Sequence, residues 1–211
     1  MADASSITSE LAGVIKLLEP RPDSPTSVEA ALRRRRSVRE FKKEALTLAE
    51  VSQLLWATQG LTDPEGMRTA PSAGALYPLE VLLVVGKEGV LPAGLYRYRP
   101  QGHELISFVE GDKRARLAAA ALDQDWLTGA PVTIVIAAVY ERTARKYGQR
   151  AERYVHMEVG HAAQNVHLQA ITLDLGTVVV GAFDDAEVKR LLTLADNEEP
   201  LCLMPVGRPH H

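Results

Sequence analysis

The 211 residues are 46% hydrophobic, enough for one sizeable core and about one domain's worth of chain. Lys and Arg total 24 against 27 Asp and Glu, so a net charge of -3 supplies no general field toward nucleic acid or an anionic membrane. The single cysteine, Cys202, lies in the apolar run Leu201-Cys202-Leu203-Met204, which excludes a disulfide framework or cysteine metal site within the chain and fits a reducing compartment.

Residues 1–26 are rich in Ser, Thr and Pro and read as an N-terminal arm, with a short apolar piece at 11–18 expected to be helical. Thr26 and Glu29 have capping-box spacing and predict a helix through about residue 35. Thr47 and Glu50 form a second such box, followed by Leu48, Val51, Leu54, Leu55 and Thr58 at helical spacing. The apolar runs at 80–86 and 132–139 predict central strands buried on both faces. Between them, 94–98 and 103–108 alternate in polarity about Pro100-Gln101-Gly102, as a hairpin does, so the sheet is at least partly antiparallel.

Asp112 is placed to cap a helix running to Leu122, and Asp184 with Glu187 to start another. The longest helix is predicted over 153–173, with Val155, Val159, Ala162, Val166, Ala170 and Leu173 on one face. Ala163, Leu168 and Ile171 add apolar surface on another side, which a dimer interface would cover. A last strand is expected at 201–206. No repeat or linker divides 27–209, no stretch reaches the roughly 18 to 20 apolar residues that span a bilayer, and the reading is a cytoplasmic protein. His210 and His211 resemble a purification-tag remnant.

Three constellations can carry chemistry. Arg33-Arg34-Arg35-Arg36-Ser37-Val38-Arg39 offers a phosphate several charge-assisted bonds and a hydroxyl, though the same run also reads as a solvated basic helix end. Pro71-Ser72-Ala73-Gly74-Ala75-Leu76-Tyr77-Pro78 is a small-residue loop before a buried strand, suited to close approach by a flat ring or to an ordinary tight turn. Lys146-Tyr147 is either a base pair beside a reacting ring or a solvated charge next to a packed aromatic. Glu158 and His161 have the spacing of carboxylate metal helices but lack the second helix such sites use, so no metal is expected. No nucleophile elbow, P-loop or dinucleotide glycine motif occurs.

Arg35-Arg36-Ser37-Val38-Arg39-Glu40-Phe41 followed by Pro71-Ser72-Ala73-Gly74-Ala75-Leu76-Tyr77-Pro78 resembles the nitroreductase family, and Ala70 to Pro78 is similar to its SagB/ThcOx branch, which includes azoline dehydrogenases. Further matches are Gly94-Leu95-Tyr96, Lys146-Tyr147-Gly148, Glu158-Val159-Gly160-His161 and Pro205-Val206-Gly207-Arg208-Pro209, so the resemblance covers about 27–209. It implies an α+β nitroreductase-like fold, a central mixed, largely antiparallel sheet flanked by helices, in an intertwined homodimer with FMN between subunits. In that resemblance Arg35, Arg36, Ser37 and Arg39 hold the phosphate, ribityl and pyrimidine end from one chain, with Arg208 added to the phosphate clamp. Pro71, Ser72, Ala73, Gly74 and Leu76 come from the other chain. Val180-Gly181 approaches flavin N5, with Val180 standing where many members carry an acidic or polar side chain. The implied activity is ping-pong transfer from NADH or NADPH through N5 to a nitroaromatic, a quinone or another small conjugated acceptor. The alternatives are oxidation of a thiazoline or oxazoline in a peptide, with Lys146-Tyr147 removing the proton, and a flavin-binding partner module without turnover.

Overall fold

A computed structural model describes residues 13–210. Seven strands form one sheet in the order β1-β4-β3-β2-β5-β7-β6: β1 Val14–Lys16, β2 Leu79–Val85, β3 Gly94–Arg99, β4 Glu104–Glu110, β5 Val132–Ala138, β6 Gly176–Thr177 and β7 Glu199–Gly207. Every ladder is antiparallel. The parallel element is a single bridge from Ser37 to Thr177. β2 and β5 pair along seven residues and lie at the centre, which is why both are apolar on each face.

The alternation of side chains along these strands divides the core in two. Leu79, Val81, Leu83, Val85, Ile134 and Ile136 pack with helices α2 (Leu48–Gln59) and α5 (Ala151–Thr172) on one face. Leu82, Val84, Val135 and Ala137 pack with α3 (Arg114–Ala120) and α6 (Asp185–Leu191) on the other. Two helices complete the set, α1 (Val28–Arg34) and α4 (Tyr140–Tyr147). Both faces are therefore covered, as the continuous apolar runs require.

Several boundaries differ from expectation. Residues 14–16 form an edge strand on β4, not a helix: Val14 and Ile15 are β-branched, and the free edge of β4 gives their backbone a ladder. Residues 11 and 12 of the expected helix lie outside the described residues, as does His211. Ser27, one residue after the expected Thr26, caps α1 by accepting from the Ala30 amide at 3.2 Å. Asp112 accepts from the Arg114 amide at 3.0 Å but is also held by the Arg114 guanidinium, and α3 stops at Ala120 because Leu122 turns to φ +57°. Ala163, assigned to a second face of α5, is buried in the main core because α2 packs over that side.

The capping box of α2 is formed as expected: Thr47 Oγ1 accepts from the Glu50 amide at 3.2 Å and Glu50 accepts from the Thr47 amide at 2.7 Å. Thr47→Ala removes one partner from this pair and is expected to cost about 1 kcal/mol of stability, read as a lower urea midpoint at unchanged slope. No helix among the described residues is long and apolar enough to cross a membrane.

Candidate active site

The arginine run leaves α1 at its C-cap, Arg35, and is pinned beside the sheet by the Ser37 bridge and by the Val38 amide donating to Thr177 O at 3.0 Å. Gly176 permits this approach, since a Cβ there would meet Val38 Cβ at 2.7 Å. Phe41, buried, anchors the far end against Pro209. Between these anchors Arg36, Ser37 and Arg39 are exposed and Arg35 is half-buried. Arg36 donates to the carbonyls of Arg33 and Arg35 at 3.0 and 2.8 Å, and Arg39 stands 5.8 Å from the Trp126 ring. None of Arg35, Arg36 and Arg39 has an ion-pair partner among the described residues, unlike Arg34, which meets Asp174 at 3.3 Å. Arg208 is also spent: its guanidinium holds Glu50 at 2.8 Å and Glu44 at 3.4 Å.

Where Arg35 faces α5 it approaches His167, a buried imidazole. Burial first, and the Arg35 charge second, push that imidazole down to about 4, so it adds no competing cation near neutral pH.

The Ser72 loop is the second part. Gly74, Ala75 and Tyr77 all have positive φ, at +64°, +54° and +46°. For the two residues with side chains this conformation costs on the order of 1–3 kcal/mol each, and it persists because the surroundings hold it. Ser72 Oγ accepts from the Tyr77 amide at 2.9 Å, Asn165 of α5 donates to Thr69 O at 3.2 Å, and Arg68 lies 4.5 Å from the Tyr77 ring. The C-terminal end of α4 closes over the loop: a Cβ on Gly74 would meet Tyr147 OH at 2.9 Å and Lys146 Nζ at 3.0 Å. Glycine takes this φ without strain and leaves room for both side-chain tips. Tyr147 is steadied edge-on by Tyr154, with ring centroids 5.0 Å apart.

Behind the loop sits Glu158, 2% exposed, with Oε1 lacking a hydrogen-bond partner. Burial raises its carboxyl to about 7, opposed in decreasing order by the Ser72 side chain, the Arg68 charge and Gln59. Reading the sequence for metal spacing passed over this residue. Its signal was its place on the Val155–Ala162 stripe of α5, where a carboxylate interrupts an otherwise apolar face. No metal-binding cluster of His, Cys, Asp and Glu is found among the described residues.

Val180 contributes through its backbone. It is buried, and its amide and carbonyl both bond Leu203, at 2.9 Å each. Gly181 is exposed with open space above its Cα. The thiol of Cys202 is buried and pushed up to about 12 by that burial, which removes it from nucleophilic chemistry.

Thus the structure brings Ser72, Gly74, Lys146, Tyr147 and Glu158 together beside α5 and sets Arg35 against His167 of the same helix, while Ser37 lies beside Thr177 and Arg39 beside Trp126. Glu158 and His167 are nine residues and about 14 Å apart along the helix axis.

Residues 32–208 match the model of the nitroreductase family. The chain belongs to that family. A protein of Methanocaldococcus jannaschii provisionally named a nitroreductase is 50% identical over 181 residues, 86% of this chain and 90% of its own. The crystal structure of a provisionally assigned nitroreductase from Ralstonia eutropha JMP134 superposes with a TM-score of 0.83 at 31% identity, covering 94% of this nitroreductase-family chain and 90% of that one. The microcin B17-processing protein McbC of Escherichia coli is 27% identical over 158 residues, 72% of this chain; the alignment spans 58% of McbC.

Proposed function

We propose that this nitroreductase-family chain is an FMN-dependent oxidoreductase acting as a homodimer, passing reducing equivalents from NADH or NADPH to a small conjugated acceptor such as a nitroaromatic or a quinone. The observation that carries the reading is a cluster of guanidinium groups without ion-pair partners, Arg35, Arg36 and Arg39, in a chain that also builds a strained, glycine-floored loop under Lys146 and Tyr147. Unpaired, partly exposed guanidinium groups suit a dianionic phosphate, and small side chains with a hydroxyl among them suit a flat ring, so the residues fit FMN.

Arg35, Arg36, Ser37 and Arg39 of one protomer would bind the phosphate and ribityl end. Pro71, Ser72, Ala73, Gly74 and Leu76 of the other would carry the ring, with Val180-Gly181 at its N5 edge. Arg208 would join the phosphate only by exchanging Glu50 and Glu44 for it. Bound FMN would supply the two-electron chemistry, taking hydride at N5 from the nicotinamide and yielding it to the acceptor. The protein's part would be to orient both partners in one slot and hold Tyr147 OH and Lys146 Nζ where they can give the acceptor the proton that accompanies the hydride.

One observation favours a second reading. Oxidising a thiazoline or oxazoline removes a proton as well as a hydride, and Lys146 Nζ and Tyr147 OH both stand at Gly74, on the floor of the proposed slot. The similarity to a microcin-processing protein supports the same direction. The visible spectrum of purified protein supplied with FMN, before and after anaerobic NADPH or NADH, separates the readings. Flavin bands near ~370 and ~450 nm that bleach on addition are expected for the reductase. Bands that persist, with turnover of a thiazoline peptide under oxygen, would shift the assignment to azoline oxidation. Absence of bound FMN would overturn both.

A further inference from the structure

Two carboxyls among the described residues are more than nine-tenths buried, and they are treated differently. Glu198 is held by Arg97 at 2.7 and 2.8 Å and by the Ala195 amide at 3.0 Å. Glu158 is deeper, at 2% exposed, and its Oε1 has no partner. Its polar neighbours are unsatisfied too: Gln59 Nε2 and Arg68 Nε are buried without partners, although Arg68 donates to Gln59 Oε1 at 2.9 Å. A polar group left in this state costs on the order of 1–3 kcal/mol, so a core helix does not carry one for packing alone. The group that Glu158 shares with the candidate site is Ser72, whose side chain opposes the rise in the Glu158 pKa and accepts from the Tyr77 amide in the strained segment.

We propose that Glu158 is a positioning residue for the Ser72 loop: its carboxyl, with Gln59 and Arg68, fixes from behind the hydroxyl that would bond the flavin ring. The ligand in this inference rests on the FMN reading; the support of the loop does not. Gln59 and Arg68 face Glu158 from α2 and the turn after it, and Ser72 faces it from the loop. Tyr77, Glu80 and Arg142 act on it at one remove, through Arg68. Lys146 and Tyr147 reach the same loop from α4 at Gly74, and the flanking α5 residues Val155 and Ala162 are apolar. As a neutral acid Glu158 can donate to one neighbour and accept from another. As a carboxylate it only accepts, so Ser72 must turn its hydrogen inward and loses it for the flavin. Flavin affinity should therefore fall as pH rises through the range in which Glu158 ionises.

The test uses full-length wild type, Glu158→Gln and Glu158→Leu, with FMN affinity read by quenching of flavin fluorescence from pH 6 to 8.5, and hydrogen exchange over 71–78 read in flavin-free protein. Glu158→Leu is expected to weaken FMN binding about tenfold and to speed exchange in that segment by a similar factor. Glu158→Gln, which keeps a donor and an acceptor, should restore both to within about twofold of the wild type at pH 6 and abolish the decline at higher pH. A leucine variant that binds and exchanges like wild type overturns the proposal. If that variant does not fold, identical pH profiles for wild type and Glu158→Gln overturn it instead. If no protein binds FMN while exchange follows the expected order, the FMN reading fails and the positioning role stands.

Discussion

Replacing Arg35 and Arg39 together by alanine is expected to weaken FMN binding by about 100-fold or more while leaving the fold intact. Neither guanidinium has an ion-pair partner among the described residues, and the chain around them is held by backbone contacts, the Ser37 bridge and the Val38 amide on Thr177. Their removal should therefore change folding stability by no more than about 1 kcal/mol, about 0.5 kcal/mol for each, as for surface substitutions away from buried networks. A hydrogen bond to a charged group contributes about 1.5–3 kcal/mol, so two arginines on one phosphate account for at least two orders of magnitude in affinity. Arg208 makes a poorer probe, because its loss would strand Glu50 and Glu44 and confuse stability with binding. Titration of the double variant with FMN, alongside its urea denaturation curve, decides the matter. An unchanged affinity would return the arginine run to its plainer reading, a solvated basic end of α1.

The same contrast shows what could be read from the residues alone. Central strands, the hairpin and α5 were legible because their patterns are local: β2 and β5 are apolar without alternation, and α5 keeps helical spacing over six turns. β1 was not, because Val14–Lys16 becomes a strand only where β4 offers an edge about 90 residues later in the chain. The site divides likewise. The arginine run, the Ser72 loop and Lys146-Tyr147 each stood out as motifs, but their placement in the fold is set by packing between segments far apart in sequence. Arg208 meets Glu50 across 158 residues, and no local pattern announces that pairing. Glu158 was visible through its spacing to His161, but its nearness to Gln59 and Arg68 is set by contacts between segments far apart in sequence.

Glu158→Gln is also expected to make the protein more stable at pH 8 and to leave it nearly unchanged near pH 4.5. The folded-state pKa of this carboxyl is raised by burial from 4.5 to about 7. Between those values the folded chain keeps a proton that the unfolded chain releases, so stability falls as pH rises from 4.5 to 7 and levels off above. The whole shift corresponds to at most about 3 kcal/mol, on the order of 1.4 kcal/mol for each unit. Glutamine is neutral throughout and does not incur that loss. Glu88, Asp112 and Glu198 shift the opposite way, toward lower pKa, and lose stability in acid, but they do so equally in both proteins and drop out of the difference. Parallel urea titrations at pH 4.5, 6, 7 and 8 should show a gap that opens with pH and saturates near 8. A constant gap would mean that Glu158 is already ionised in the folded chain, with Arg68 as its true counter-charge, and Ser72 would then be held by a carboxylate at every pH.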